Sequence, residues 1–250
     1  MKIDNRKNMK KIILILPLLL FATITNAQEY FYIINDPDGY LNIREQPTVN
    51  SRIIDRIEQY EIFFDARYFV GNDELRHNNY PANWIPVRKE YKAPIGYVYS
   101  PNATPLDESM MLDRNSNPYS REWDSTEPIV CSNDTLQVVL TLRLFDKNVH
   151  EVTYYAEDLI RTVDGKIAYA LFDSGNDWEA ESLTVFQKGN KVSLPVDNFK
   201  NYYNPRMIVY VGHREDLYIH IFCGDASENH SICLSVVDGV ILYTKDTERM

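Results

Sequence analysis

Apolar and polar residues alternate with a period of two along much of the chain, and turn-forming residues interrupt the alternation at short intervals. The clearest stretch is 136–144, where Leu136, Val138, Leu140, Leu142 and Leu144 fall on one face of an extended strand. Further strands are expected at 151–156, 166–172, 182–187, 207–211, 217–223, 231–237 and 240–244. Residues 156–160 are also compatible with a single helical turn. Asp164-Gly165, Lys188-Gly189-Asn190 and Asp238-Gly239 have the composition of hairpin turns. Many short strands in so few residues point to an antiparallel sandwich or barrel over 129–250.

The first half carries the same signal with stronger punctuation. Asp36-Pro37-Asp38-Gly39 is a turn, residues 40–44 alternate, and Gln46-Pro47 breaks the pattern. Ile53, Ile54 and Ile57, then Ile62, Phe63 and Phe64, supply β-branched and aromatic residues for two more strands, followed by 84–87 and 95–99. About five strands in so short a stretch suggest a closed barrel, because an open sheet leaves unpaired edges. Residues 107–128 have few periodic apolar positions and read as a linker. The expectation is an all-β chain with a small barrel over 28–106 and a β-rich domain over 129–250.

Charge and composition add location and exclude some partners. Lys2, Arg6, Lys7, Lys10 and Lys11 precede an apolar run at 12–22, and Thr25-Asn26-Ala27 follows it. A basic region, a short apolar core and a small residue at the cut describe a secretory signal peptide over 1–27. The apolar run is too short to span a bilayer, and Pro17 interrupts it. The protein is therefore expected to be exported, periplasmic or extracellular, with no membrane span after cleavage. The whole chain has a formal charge of −10, which argues against general nucleic-acid binding. Without residues 1–27 the charge is −14, with −3 over 28–106 and −11 over 107–250. A charge-steered partner of the second half should be basic.

Residues 38–57, DGYLNIREQPTVNSRIIDRI, resemble the opening of bacterial SH3 domains. Leu41, Asn42, Ile43, Arg44 and Pro47 fit that family's L-N-[VI]-R-x-x-P element, with Ile53 and Ile54 at the usual distance. Trp84-Ile85-Pro86-Val87 and Gly96-Tyr97-Val98 are similar to its later W-x-x-V and G-[WY]-V elements. The resemblance covers about 75 residues and implies an SH3-like barrel that docks to cell-wall peptide or glycan, or to an envelope protein. Exposed aromatics would form the contact platform, with Tyr40, Tyr80, Trp84, Tyr97 and Tyr99 as candidates. Leu41, Ile43 and Val98 are more simply core residues, and Arg44 more simply holds a turn. The polar insertion at 65–83 is longer than the family usually carries there. The second half resembles no recognised family.

Catalytic and metal chemistry finds little support. Cys223 and Cys233 flank an expected hairpin centred near Glu228, which would place them opposite each other for a disulfide, leaving Cys131 over. His220, Cys223, His230 and Cys233 could also form a zinc set, but residues three apart on a strand point to opposite faces. Bacterial SH3 modules are often coupled to papain-like cell-wall peptidases, whose catalytic cysteine stands at a helix start. Here Cys131 precedes an expected strand, and no histidine stands at or immediately before 206–210, where that family's second landmark would fall. The acidic run 173–179 misses the spacing of a calcium loop. No cofactor or metal is expected. The reading is a non-catalytic binding protein, with an acidic inhibitor or immunity-type protein for a basic partner as the alternative and a Cys131 peptidase as the remote one.

Overall fold

The computed structural model describes residues 31–68, 81–89, 93–112, 127–156, 159–171, 177–224 and 230–247. The expected signal peptide, Tyr80 and much of the 65–83 insertion lie outside them. The described chain is all-β, in four antiparallel sheets.

The first half forms a sheet of seven strands: β1 (Phe31–Ile34), β2 (Tyr40–Arg44), β3 (Ile53–Glu58), β4 (Phe63–Asp65), β5 (Trp84–Arg88), β6 (Gly96–Tyr99) and β7 (Ala103–Pro105). Their order is β3-β2-β6-β5-β4-β1-β7. Leu41, Ile43, Ile57, Phe63, Ile85, Val87 and Val98 converge from five of these strands on one core, so the sheet is strongly curled. Among the described residues its hydrogen-bond ladder does not close, and the expected closed barrel is corrected to a curled open sheet with β3 and β7 as edges. The β3 edge is protected by charge instead: Arg56 pairs with Glu58, and Lys89 donates to the Arg56 carbonyl. Gly96 is required by packing, since a Cβ there would lie 2.2 Å from Ile43 Cγ2.

The second half contains a sandwich. One sheet runs β14-β13-β9-β8, from β8 (Ile129–Ser132), β9 (Leu136–Leu144), β13 (Trp178–Gln187) and β14 (Asn190–Leu194). The other runs β15-β16-β17-β18, from β15 (Arg206–Val211), β16 (Leu217–Cys223), β17 (His230–Val237) and β18 (Val240–Thr247). Leu136, Val138 and Leu140 point inward from β9, as their period predicts, against Leu183, Val185, Met207, Val209, Ile219, Ile221 and Leu234. Leu144 has left the core and is exposed. Strands β10 (Val152–Ala156), β11 (Leu159–Val163) and β12 (Lys166–Ile167) make a separate small sheet. Of the helical alternative at 156–160, Ala156 ends β10, Leu159 and Ile160 begin β11, and residues 157–158 lie outside the described residues.

All three expected hairpin turns form. Asp164-Gly165, Lys188-Gly189 and Asp238-Gly239 each have two consecutive positive φ angles, as the two-residue turn of a twisted hairpin demands.

The two halves share a core. Phe31 and Ile33 of β1, Ile62, Phe64 of β4 and Leu106 pack against Tyr210, Tyr218 and Cys233. Alternation explains how: Phe31 and Ile33 face the second half, while Tyr32 and Ile34 pack on the core of the first. The β15–β18 sheet is consequently a middle layer whose central strands, β16 and β17, are buried on both faces. Every residue of β16 is buried, so LYIHIFC reads as a continuous run rather than an alternation. The start of the expected linker is also docked, because Leu112 donates its backbone N–H to the Val209 carbonyl and Met111 bridges to Tyr210.

Candidate functional site

On β5 and β6 the inward residues are Ile85, Val87, Gly96 and Val98, so Trp84, Pro86, Tyr97 and Tyr99 stand on the opposite face. Antiparallel register sets Trp84 beside Tyr99 and Pro86 beside Tyr97, and Arg44 of β2 stands beside Tyr97. The Trp84 and Tyr99 rings meet edge to face, with centroids 5.8 Å apart. Tyr99 is 38% exposed, and Trp84 and Tyr97 are half-buried. Three of the five expected aromatics thus form one outward patch.

Tyr40 stands apart from that patch. It lies at the far end of β2 from Arg44, about 13 Å along an extended strand. The Arg56 guanidinium covers its ring at 4.5 Å. Arg44 holds a turn, donating from Nη1 to the Ser51 carbonyl at 2.8 Å, in line with its structural reading.

The cysteines require a correction. Cys131, Cys223 and Cys233 are all thiols, with no disulfide among them. Strand register pairs Cys223 with His230 and Cys233 with His220. Cys223 is therefore three positions from alignment with Cys233, an odd offset that puts the two sulfurs on opposite faces of the sheet. Cys223 belongs to the sandwich core and Cys233 to the core shared by the halves. Burial pushes both thiols well above the usual range. The same register divides the histidine–cysteine set into two pairs on two faces. Among the described residues no group of three or more His, Cys, Asp or Glu side chains could hold a metal.

Cys131 lies within β8, buried in the sandwich core, with Sγ 3.9 Å from the Met207 carbonyl oxygen. It stands at no helix start that would favour a thiolate.

A polar cluster beside the small sheet was not foreseen. His150 Nδ1 lies 2.9 Å from Asp164 Oδ2, and its Nε2 lies 3.7 Å from Glu179 Oε1. Arg143 Nε donates to that Glu179 oxygen at 2.7 Å, and Phe145 stacks on the imidazole. Hydrogen bonds from His150 and from the Glu151 N–H hold Asp164 below the usual carboxylate range. These residues are scattered through the sequence and carry no spacing signal. Of the acidic run, residues 173–176 lie outside the described residues, while Asp177 is buried and accepts a hydrogen bond from Asn204 Nδ2.

No family model matches the chain, and no curated protein matches it.

Proposed function

We propose that the protein is an exported, non-catalytic binding protein that docks to a cell-wall or envelope component through the outward aromatic face of its N-terminal sheet. The observation that carries this reading is the Trp84–Tyr99 cross-strand pair with half-buried Tyr97 on the same face, turned away from the core. Flat rings held by strand register give contact area with little side-chain entropy left to lose. The bacterial SH3-like motifs support the assignment of ligand class, and the basic, apolar, small-residue pattern at 1–27 supports export. The test is sedimentation of the 28–250 chain with purified cell wall and, separately, capture from envelope extract. Tyr99→Ala should reduce binding at least tenfold with an unchanged thermal melt; undiminished binding refutes the reading.

A second reading rests on charge. Residues 107–250 carry −11, which suits a basic protein partner of an inhibitor or immunity-type protein. Binding that survives Tyr99→Ala and collapses between low and high salt selects this alternative.

A further inference from the structure

We propose that the contact between the N-terminal sheet and the middle sheet is a separable joint, and that protonation of His220 releases it in acid while the sandwich stays folded.

The argument begins with what lines this joint. Register arranges the middle sheet's outward face in rows: Tyr210, Tyr218, Ser235 and Tyr243 in one, Ile208, His220, Cys233 and Lys245 in the next. The sandwich face of the same strands presents Met207, Val209, Leu217, Ile219, Ile221, Ile232 and Leu234 instead. One face is a continuous apolar core, and the other is a surface with polar groups that has been covered. Covering it leaves costs in place. Ser235 Oγ and both ring nitrogens of His220 are buried with no hydrogen-bond partner. Each such atom regains its hydrogen bonds only when water reaches it, so these atoms favour separation.

His220 is the group that couples the joint to pH. Phe31 of β1 meets the imidazole edge to face at 4.9 Å, and Phe222 lies against it at 5.1 Å. The titratable groups on that face are Tyr218 on its own strand with Asp216, its hydrogen-bond partner just before the strand, Arg206 and Tyr210 on β15, Cys233 on β17, and Tyr243 and Lys245 on β18. Phe31, Ile33 and Phe64 bring no charge from the covering sheet, and Asp65 is turned into its pair with Arg67. In the 107–112 stretch, Asp107 accepts from Ser109. Of the buried carboxylates near the joint, Glu61 is held by Lys245 and Lys89, and Asp216 accepts from Tyr218. Among the described residues no carboxylate is hydrogen-bonded to either imidazole nitrogen, and burial holds the His220 pKa at about 3, against 6.5 for the free group. Opening the joint restores the free value, so acid drives opening: between pH 7.5 and 4.5 the open fraction rises about 100-fold.

The chain contains its own reporters. Cys233 lies in the joint, whereas Cys131 and Cys223 lie in the sandwich core. The 28–250 chain is pulsed with 4,4′-dithiodipyridine, which reacts with thiols in acid, and labelled peptides are mapped by mass spectrometry. Rates are normalised to the denatured chain at each pH. Cys233 labelling should rise about 100-fold from pH 7.5 to 4.5 with Cys131 and Cys223 still protected, and both His220→Leu and His220→Gln should abolish the rise. Parallel labelling of all three cysteines would show global unfolding and overturn the proposal. So would an acid-induced rise that persists in either variant, which would assign the effect to a group other than His220.

Discussion

Lys245 and Glu61 provide the sharpest test of how the two halves are joined. Their side chains are 4% and 5% exposed, and Lys245 Nζ lies 3.4 Å from Glu61 Oε1. At an effective dielectric of about 20 that separation corresponds to roughly 5 kcal/mol of attraction, most of it offset by removing both ions from water. The pair itself therefore contributes little. What matters is what each single substitution strands.

The partners are not equivalent. Without Lys245, Glu61 still has Lys89 Nζ 3.3 Å from Oε2 and the Glu58 backbone N–H at 3.0 Å. Without Glu61, Lys245 retains the Lys89 carbonyl, at 2.8 Å, and loses its ion pair with Glu61. Glu61→Met should cost about 3–5 kcal/mol, as for removal of one partner of a buried ion pair, and Lys245→Met, which leaves Glu61 its second pair, about 1–3 kcal/mol. The double Met variant should recover most of the loss. Urea unfolding at neutral pH, run as a double-mutant cycle, measures all three. Lys245→Met as damaging as Glu61→Met, or both below about 1 kcal/mol, would refute the reasoning.

Other expectations follow from the same geometry. Gly96→Ala forces a methyl group into Ile43 and should lower stability by about 1–3 kcal/mol in urea unfolding. Denatured in the absence of reductant, the chain should titrate with three thiols, and dithiothreitol should leave its melting temperature unchanged, whereas a disulfide would have contributed about 2–3 kcal/mol. The folded pKa of His220 is depressed, so its contribution is intact above the unfolded value of 6.5 and is lost as pH falls toward about 3. Stability should drop by about 2 kcal/mol more between pH 7 and pH 5 in the native chain than in His220→Leu.

Period-two alternation and turn chemistry were legible because each is a local property. Leu136, Val138 and Leu140 declared the inner face of β9, and the Asp-Gly and Lys-Gly pairs declared their hairpins. Strands β8 and β14 passed unnoticed because Ile129–Ser132 and Asn190–Leu194 are short and mostly polar or half-buried. The Cys223–Cys233 bridge failed on register. A hairpin centred near Glu228 aligns the two, but the pairing of Cys223 with His230 moves the centre and reverses the face. Nothing within either strand specifies that shift. Among the aromatics, the sequence offered five candidates without their neighbours, and only strand order separates Tyr40 from Trp84, Tyr97 and Tyr99.

The hardest feature to read was the shared core, and its reason is physical. A strand with one wet face announces itself by alternating, but β16 is buried on both, and apolarity alone does not say what covers each side. The polar residues within that run carry the missing information. Tyr218 and His220 fall on one parity of the strand, and Leu217, Ile219 and Ile221 on the other. A parity occupied by side chains able to hydrogen-bond marks a face built for contact with another unit rather than for a permanent core. The same logic applies to β1, where Phe31 and Ile33 are turned to the middle sheet while Tyr32 and Ile34 serve their own. Each half therefore completes a core of its own and contributes one strand face to the other, which makes the joint both extensive and, through His220, sensitive to a single proton.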